Sequence, residues 1–244
     1  MKTWTDNVHF VLVEPTEPGN IGAAARALKN MGFRRLELVN PVPHLTAEAK
    51  SMACGAKDLL VKAPIYPNLE SAIAGKSLLV GSTRRLGSKR GLILNLREAA
   101  GKIRQAAQAN RVAVLFGNEH SGLTNRETDR CGFLLTIPSS PAFPSLNLAQ
   151  SVMLVANELS SSAGGRAADR AAWPKLVGDQ DRRRLERRIK IVLRLLEYRP
   201  KGNRDLEADI RRSLGRLFGR SGLTPWELNM LLGLCRRVED RMKK

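Results

Sequence analysis

Apolar positions along the first 160 residues switch repeatedly between short continuous runs and helical spacing. Residues 8–13 (VHFVLV) form an apolar run of strand length that exits through Glu14, two prolines and Gly19 into a loop. From Asn20 to Met31 the spacing turns helical, with Ile21, Ala24, Ala25, Leu28 and Met31 on one face and Gly32 as the stop. A second strand at 35–39 (RLELV) ends at Asn40-Pro41, which completes one β-α-β unit. The theme recurs in SLLVGST (77–83) and VAVLFG (112–117), with a polar helix opening near Arg97 between them. FLLTIP (133–138) reads as a further strand and LNLAQSVMLVANEL (146–159) as a strongly apolar helix. Thr124 to Glu127 (TNRE) has the capping-box spacing of a short helix start. Alternation of strand and helix predicts an α/β fold with a parallel sheet.

The pattern changes after residue 160. SSSAGGRAADRAAWP reads as a linker of small residues, and no strand signal follows it. Leu185, Ile189, Val192 and Leu196 repeat at helical spacing, as do Leu206, Ile210, Leu214 and Leu217. Thr224-Pro225-Trp226-Glu227 is a second capping box, with proline at the first helical position, opening a helix that carries Met230, Leu231, Leu234 and Val238. The expected organisation is an α/β domain at 1–160, a linker at 161–178 and a small all-α domain at 179–244.

Charge narrows the partner. The chain carries 41 Lys+Arg against 23 Asp+Glu, a net +18, more than solubility needs and suited to a polyanion such as nucleic acid or an acidic membrane. From residue 161 onward there are 22 Lys+Arg and 11 Asp+Glu, so the shorter C-terminal part holds the larger excess. In DRRRLERRIK the arginines gather opposite an apolar stripe, which makes Arg183, Arg184, Arg187 and Arg188 candidate phosphate contacts. A membrane-surface helix would need a Trp/Phe-rich face that residues 182–198 lack. No apolar run approaches the roughly 18–20 residues of a membrane span, and MKTWTDNVHF lacks a signal-peptide core, so a cytoplasmic protein is expected. Cys54, Cys131 and Cys235 are widely spaced, without C-x-x-C pairing, and point to no metal.

The common nucleotide and hydrolase signatures, G-x-x-x-x-G-K-[ST], G-x-G-x-x-G after a strand and G-x-S-x-G, are missing. Of the three histidines, His9 falls within a strand pattern and reads as structural, whereas His120 in a loop is a site candidate. What remains are loops that follow strands, where ligands of α/β sheets gather: EPTEPGNIG, GSTRR, FGNEHSG and IPSSPAFPSLN. They offer Asn20 and Arg26, Glu119, and Ser145 with Asn147.

Taken in order, these loops resemble the motifs of the SpoU (TrmH) class of SPOUT RNA 2′-O-methyltransferases. N-x-G-x-x-x-R followed by glycine is present as Asn20, Gly22, Arg26 and Gly32. G-x-E-x-x-G is present as Gly117, Glu119 and Gly122, and I-P followed by S-L-N as Ile137-Pro138 and Ser145-Leu146-Asn147. VGSTRR (80–85) and RLFGRSGLTPWELNMLLGLCRRVE (216–239) are similar to the TrmJ branch, which methylates the ribose of tRNA anticodon-loop nucleotide 32. The resemblance implies a SPOUT-type sheet with a C-terminal trefoil knot, S-adenosylmethionine held in the knot, a homodimer whose subunits complete each site, and tRNA as partner. It places the cofactor against Leu115, Phe116, Gly117, Ile137, Pro144, Ser145 and Leu146, with Ser82, Thr83 and Arg84 at its border. It places Arg26, Ser145, Asn147 and Glu119 in the catalytic set, Glu119 as a residue that holds loops together, and Asn20, Arg26, Arg84 and Arg85 toward substrate. Ribosomal RNA as acceptor, or an inactive RNA-binding protein of the same fold, are the rival readings. Arginine as a base is physically costly: a neutral guanidinium near pH 7 would take roughly 7–9 kcal/mol. Binding of a phosphate and stabilisation of oxyanion character suit Arg26 better.

Overall fold

The computed structural model describes residues 3–85, 91–161, 173–198 and 205–242. Seven parallel strands build one sheet: β1 (Val8–Val13), β2 (Leu36–Val39), β3 (Ile65–Tyr66), β4 (Leu78–Ser82), β5 (Ile93–Asn95), β6 (Val112–Phe116) and β7 (Phe133–Thr136), in the order β3-β2-β1-β6-β4-β7-β5. Both faces are covered, which is why the strands read as unbroken apolar runs. In β1 the period-two alternation sends Val8, Phe10 and Leu12 to one buried layer and Val11 and Val13 to the other. Phe10 packs edge-on against Phe33 at 5.1 Å between centroids and lies parallel to Phe116 at 6.2 Å.

Helix α1 (Pro18–Asn30) opens with proline in its first turn and stops where Gly32 takes a φ of +79°. Ile21 and Leu28 are fully buried, worth about 1.5–3 kcal/mol each. Gly22 lets α1 approach α2 (Ala47–Ala53) so closely that a Cβ there would lie 2.1 Å from the Ala49 carbonyl oxygen. The connection from β2 to β4 also holds α3 (Lys57–Val61) and α4 (Leu69–Ile73). Periodicity does not reveal these short elements, nor β3 and β5. Between the later strands run α5 (Leu96–Ala107) and α6 (Asn125–Thr128), the latter with its expected capping box formed, and α7 (Leu148–Ser161) follows β7. Strand β7 inserts between β4 and β5, which are consecutive in the chain.

The C-terminal helices are α8 (Asp179–Leu195), α9 (Leu206–Ser221) and α10 (Pro225–Met242), around a small core of Leu185, Phe218, Leu223, Leu228 and Cys235. Part of the stretch read as a linker behaves otherwise: 162–172 lie outside the described residues, but 173–178 are pinned to the α/β body. Asn110 accepts from Leu176 N at 2.7 Å and donates to the Pro174 carbonyl at 3.0 Å, and Trp173 Nε1 donates to Gln105. The small residues of 160–172 mark the stretch as linker-like, but the sequence carries no sign of a distant asparagine that satisfies the backbone at Pro174 and Leu176.

The helical unit docks at the amino-terminal ends of β4 and β7. Asp179, 2% exposed, accepts from Arg130 at 2.6 Å, Arg182 at 2.6 Å and Arg183 at 2.9 Å, and its backbone N donates to the Lys76 carbonyl. A buried carboxylate facing three guanidinium groups stabilises only while it is present; once removed, the cations remain desolvated and uncompensated. Asp179→Ala is expected to cost about 3–5 kcal/mol of docking stability. Hydrogen exchange checks this: protection across α8 should fall while protection in β1 and β6 is retained.

Candidate functional site

The site builds from three loops at the carboxyl ends of adjacent strands β4, β6 and β7. Ser82, Thr83, Arg84 and Arg85 leave β4; Phe116 and residues 117–123 leave β6; Ile137, Pro144, Ser145 and Leu146 follow β7, and together they line one pocket. Leu148 and Ser151, on the first turn of α7, close its floor. Of the residues carried over as cofactor contacts, Ser82, Thr83, Arg84, Phe116, Gly117, Ile137, Pro144, Ser145 and Leu146 all stand on this wall. The Leu115 side chain does not: it is 0% exposed in the sheet between Val11 and Gly81, which leaves only the backbone at this position to meet a cofactor.

Side-chain hydrogen bonds tie the motif loops together across the rim. Asn147 Nδ2 donates to Asn20 Oδ1 at 2.8 Å, and Asn20 Nδ2 donates to Glu119 Oε1 at 3.0 Å. Glu119 Oε2 accepts from the backbone N and the hydroxyl of Thr16, both at 2.9 Å. Asn147 Oδ1 also accepts from Ala149 N at 2.8 Å and so caps α7. Each of the three motif residues therefore bonds outside its own loop. Glu119 accepts with both oxygens, the arrangement of a brace between loops, as expected for a residue that holds them together. Burial raises its pKa, but the bonds from Asn20 and Thr16 outweigh this and hold the carboxyl below the ordinary glutamate range.

A depressed carboxyl pKa contributes stability above the unfolded value and loses it as pH falls through the folded one. Glu119→Gln puts an amide donor against at least one of the existing donors and is expected to destabilise the protein by roughly 1–3 kcal/mol at pH 7. Denaturation of parent and variant across pH should show the gap closing below about pH 4, because protonated Glu119 loses the same acceptor.

The 117–122 loop is held by a residue that sequence motifs do not single out. Asn118 Oδ1 accepts from His120 N, Ser121 N and Ser121 Oγ at 3.1, 2.8 and 3.0 Å. Its neighbour Gly122 takes a φ of +65°, and Gly117 packs directly on the Gly122-Leu123 peptide. Arg85 Nη2 donates to the Ser121 carbonyl at 3.1 Å and joins the β4 loop to this one. His120 lines the pocket, whereas His9 lies at the far ends of the strands, where burial lowers its pKa and Nδ1 contacts Glu37 at 2.6 Å. The second half of GSTRRLGSKRG, residues 86–90, lies outside the described residues. Thr16 and Asn118 are the loop-bracing residues that sequence reasoning missed. An Asn beside a glycine in a post-strand loop is the one signal that pointed to the latter.

Arg26 is exposed on α1 and does not line the pocket of its own chain. The four α8 arginines divide. Arg183 is spent on Asp179 and the Glu70 carbonyl and Arg188 pairs with Glu239 at 3.2 Å, while Arg184 and Arg187 are exposed. Among the described residues there is no group of acidic, histidine or cysteine side chains fit to hold a metal, and no helix is long and apolar enough to cross a membrane.

Residues 7–157 match the model of the SpoU rRNA Methylase family. The chain is 36% identical over 245 residues to the tRNA (cytidine/uridine-2′-O-)-methyltransferase TrmJ of Salmonella choleraesuis (strain SC-B67), covering 97% of this chain and 98% of that one. Among solved structures it is similar to TrmJ from Z. mobilis ZM4, with a TM-score of 0.78 and 28% identity over 95% of this chain and 98% of that chain. It shares its fold with the SpoU methyltransferase AviRb from Streptomyces viridochromogenes in complex with the cofactor AdoMet, at a TM-score of 0.52 and 21% identity over 64% of this chain and 60% of that chain.

Proposed function

Because the chain belongs to the SpoU methylase family and is a SPOUT methyltransferase of the TrmJ type, we propose that it methylates a ribose 2′-hydroxyl of tRNA with S-adenosylmethionine, at anticodon-loop nucleotide 32. The observation that carries this reading is the bond chain Asn147–Asn20–Glu119–Thr16, which draws three separate motifs onto the rim of one pocket. The pocket fits the cofactor. The close packing of Gly117 on the Gly122-Leu123 peptide folds the 116–123 turn into one side of the pocket, and the rest of the wall combines Ile137 and Leu146 with Ser82, Thr83 and Ser145. The apolar part suits a purine and the peptide and hydroxyl groups its polar substituents. When bound, S-adenosylmethionine supplies an electrophilic methyl group on a positively charged sulfur.

The protein's task is then to deliver the hydroxyl in line, which needs positioning more than covalent help. Ser145 orients the ribose from the pocket wall, and Asn147, fixed by Asn20, sets the geometry of that loop. Arg26 binds the phosphate of the target nucleotide and stabilises negative character on the attacking oxygen, the proton leaving to solvent or to a phosphate oxygen. Its exposure on α1, off the pocket wall, supports a site completed by Arg26 of a second subunit in a homodimer. The insertion of β7 between β4 and β5 supports a trefoil knot in this part of the chain. Arg84 and Arg85 at the pocket, and Arg184 and Arg187 on the helical domain, form the basic path for the RNA. The charge and the lack of a spanning helix among the described residues fit a cytoplasmic site of action.

Incubation with labelled S-adenosylmethionine and unmodified tRNA transcripts, followed by mapping of nuclease-resistant dinucleotides, tests the reading. A single 2′-O-methyl mark at nucleotide 32 is expected. Methyl entering only ribosomal RNA would replace the substrate, and none on either RNA would leave a binding protein of the same fold.

A further inference from the structure

The loop from β7 to α7 carries a side chain that neither the fold nor the pocket wall uses. Phe143 is 78% exposed, more than any other large apolar side chain among the described residues. Its backbone is nonetheless held: Phe143 N donates to the Ser140 carbonyl at 3.1 Å, and Ser139 Oγ donates to the Pro144 carbonyl at 3.1 Å. Pro141 and Pro144 restrict φ on either side. An aromatic ring set out in water on a braced turn loses little freedom on meeting a ligand, so its cost of ordering is already met by the loop.

Its place specifies the ligand. Pro144, Ser145 and Leu146, the next residues of the same loop, line the pocket, so the Phe143 Cα lies within about 7 Å of the Ser145 Cα. A nucleotide whose ribose meets Ser145 therefore has its base within reach of the Phe143 side chain. Arg84 and Arg85 line the same pocket and make the surroundings attractive to phosphate. Single-stranded bases are read by stacking on aromatic rings, and stacking tolerates different bases because every base presents a π-face.

We propose that Phe143 is a substrate-contact residue on which the base of the target nucleotide stacks once it leaves its neighbours, so that its ribose is presented to the pocket. The inference rests on the RNA ribose methylation argued above. It assigns base recognition to a ring that accepts either pyrimidine, in place of hydrogen bonds that would select one.

The full-length protein and its Phe143→Ala and Phe143→Tyr variants would be assayed on a tRNA transcript and on the same RNA lacking the base of the acceptor nucleotide. Phe143→Ala is expected to lower kcat/KM for intact tRNA roughly ten- to a hundredfold. Phe143→Tyr should restore it, and S-adenosylmethionine affinity by calorimetry and sedimentation mass should stay at parental values. On the RNA without the base, parent and Phe143→Ala should be equally slow. Parental kcat/KM for Phe143→Ala on intact tRNA, an equal further loss on the RNA without the base, or a changed sedimentation mass that marks a subunit contact would each overturn the proposal and leave the functional reading standing. A parent that methylates no tRNA would remove both.

Discussion

Arg26→Ala is expected to reduce methyl transfer to tRNA by roughly 10²–10³-fold, the scale seen when one donor to a developing oxyanion is lost. S-adenosylmethionine affinity should not change, because Arg26 is not part of the pocket wall. Thermal stability should stay within a degree or two, since the side chain is exposed and no ion pair of the described residues uses it. Arg26→Lys separates charge from shape: the ammonium keeps the charge but not the planar fork that grips a phosphate at two points. Single-turnover rates and RNA binding together check both variants. Activity of Arg26→Lys within about twofold of the parent, at unchanged RNA affinity, would dismiss both fork binding and a role as base.

Gly117→Ala is expected to abolish cofactor binding at ordinary concentrations and to lower stability. A Cβ at this position would lie 2.1 Å from the Gly122 carbonyl carbon, 2.2 Å from Leu123 N and 2.6 Å from the Gly122 oxygen. All three are backbone atoms of the turn that Asn118 knits together, so no side-chain rotation relieves the overlap and the pocket wall itself must move. Overpacking costs about 1–3 kcal/mol when neighbours can yield, and this site is stiffer. Gly101 provides the opposite sign: it sits in α5 with nothing within 4 Å of its would-be Cβ, so Gly101→Ala should stabilise by about 0.5–1 kcal/mol. Calorimetric titration with S-adenosylmethionine and thermal denaturation read both variants. Parental affinity in Gly117→Ala would mean that the cofactor does not use this wall. The two variants also test the shared site: random mixing of Arg26→Ala and Gly117→Ala subunits should restore about a quarter of parental activity if each site draws Arg26 from one subunit and its pocket from the other.

The difference between these two glycines shows where local information ends. Nothing in FGNEHSG distinguishes Gly117 from a loop glycine chosen for flexibility, or Gly101 from one tolerated in a helix. Only the turn that folds the Gly122-Leu123 peptide back onto Gly117 makes the first indispensable in space. The same holds for the basic helix, where composition groups Arg183, Arg184, Arg187 and Arg188 as equals and three-dimensional packing commits Arg183 to Asp179 and Arg188 to Glu239.

The alternation of apolar runs and helical spacing is a property of neighbours in the chain. It therefore located β1, β2, β4, β6 and β7, the first, fifth and seventh helices, the three C-terminal ones and the caps at Thr124 and Thr224. It likewise carried the charge imbalance and the three motifs that point to RNA ribose methylation. Strands of two or three residues such as β3 and β5, and helices of five or seven such as α2, α3 and α4, are too short for a period to repeat and exist because the sheet edge and α1 offer them partners. Tertiary structure also decided that β7 enters between two consecutive strands, that Asn110 pins residues 173–178, and that Glu119 spends both oxygens on Asn20 and Thr16. Each of these depends on groups about 40 to 100 residues apart in the chain meeting where water is largely shut out, so that an unsatisfied polar atom is costly and a paired one is held.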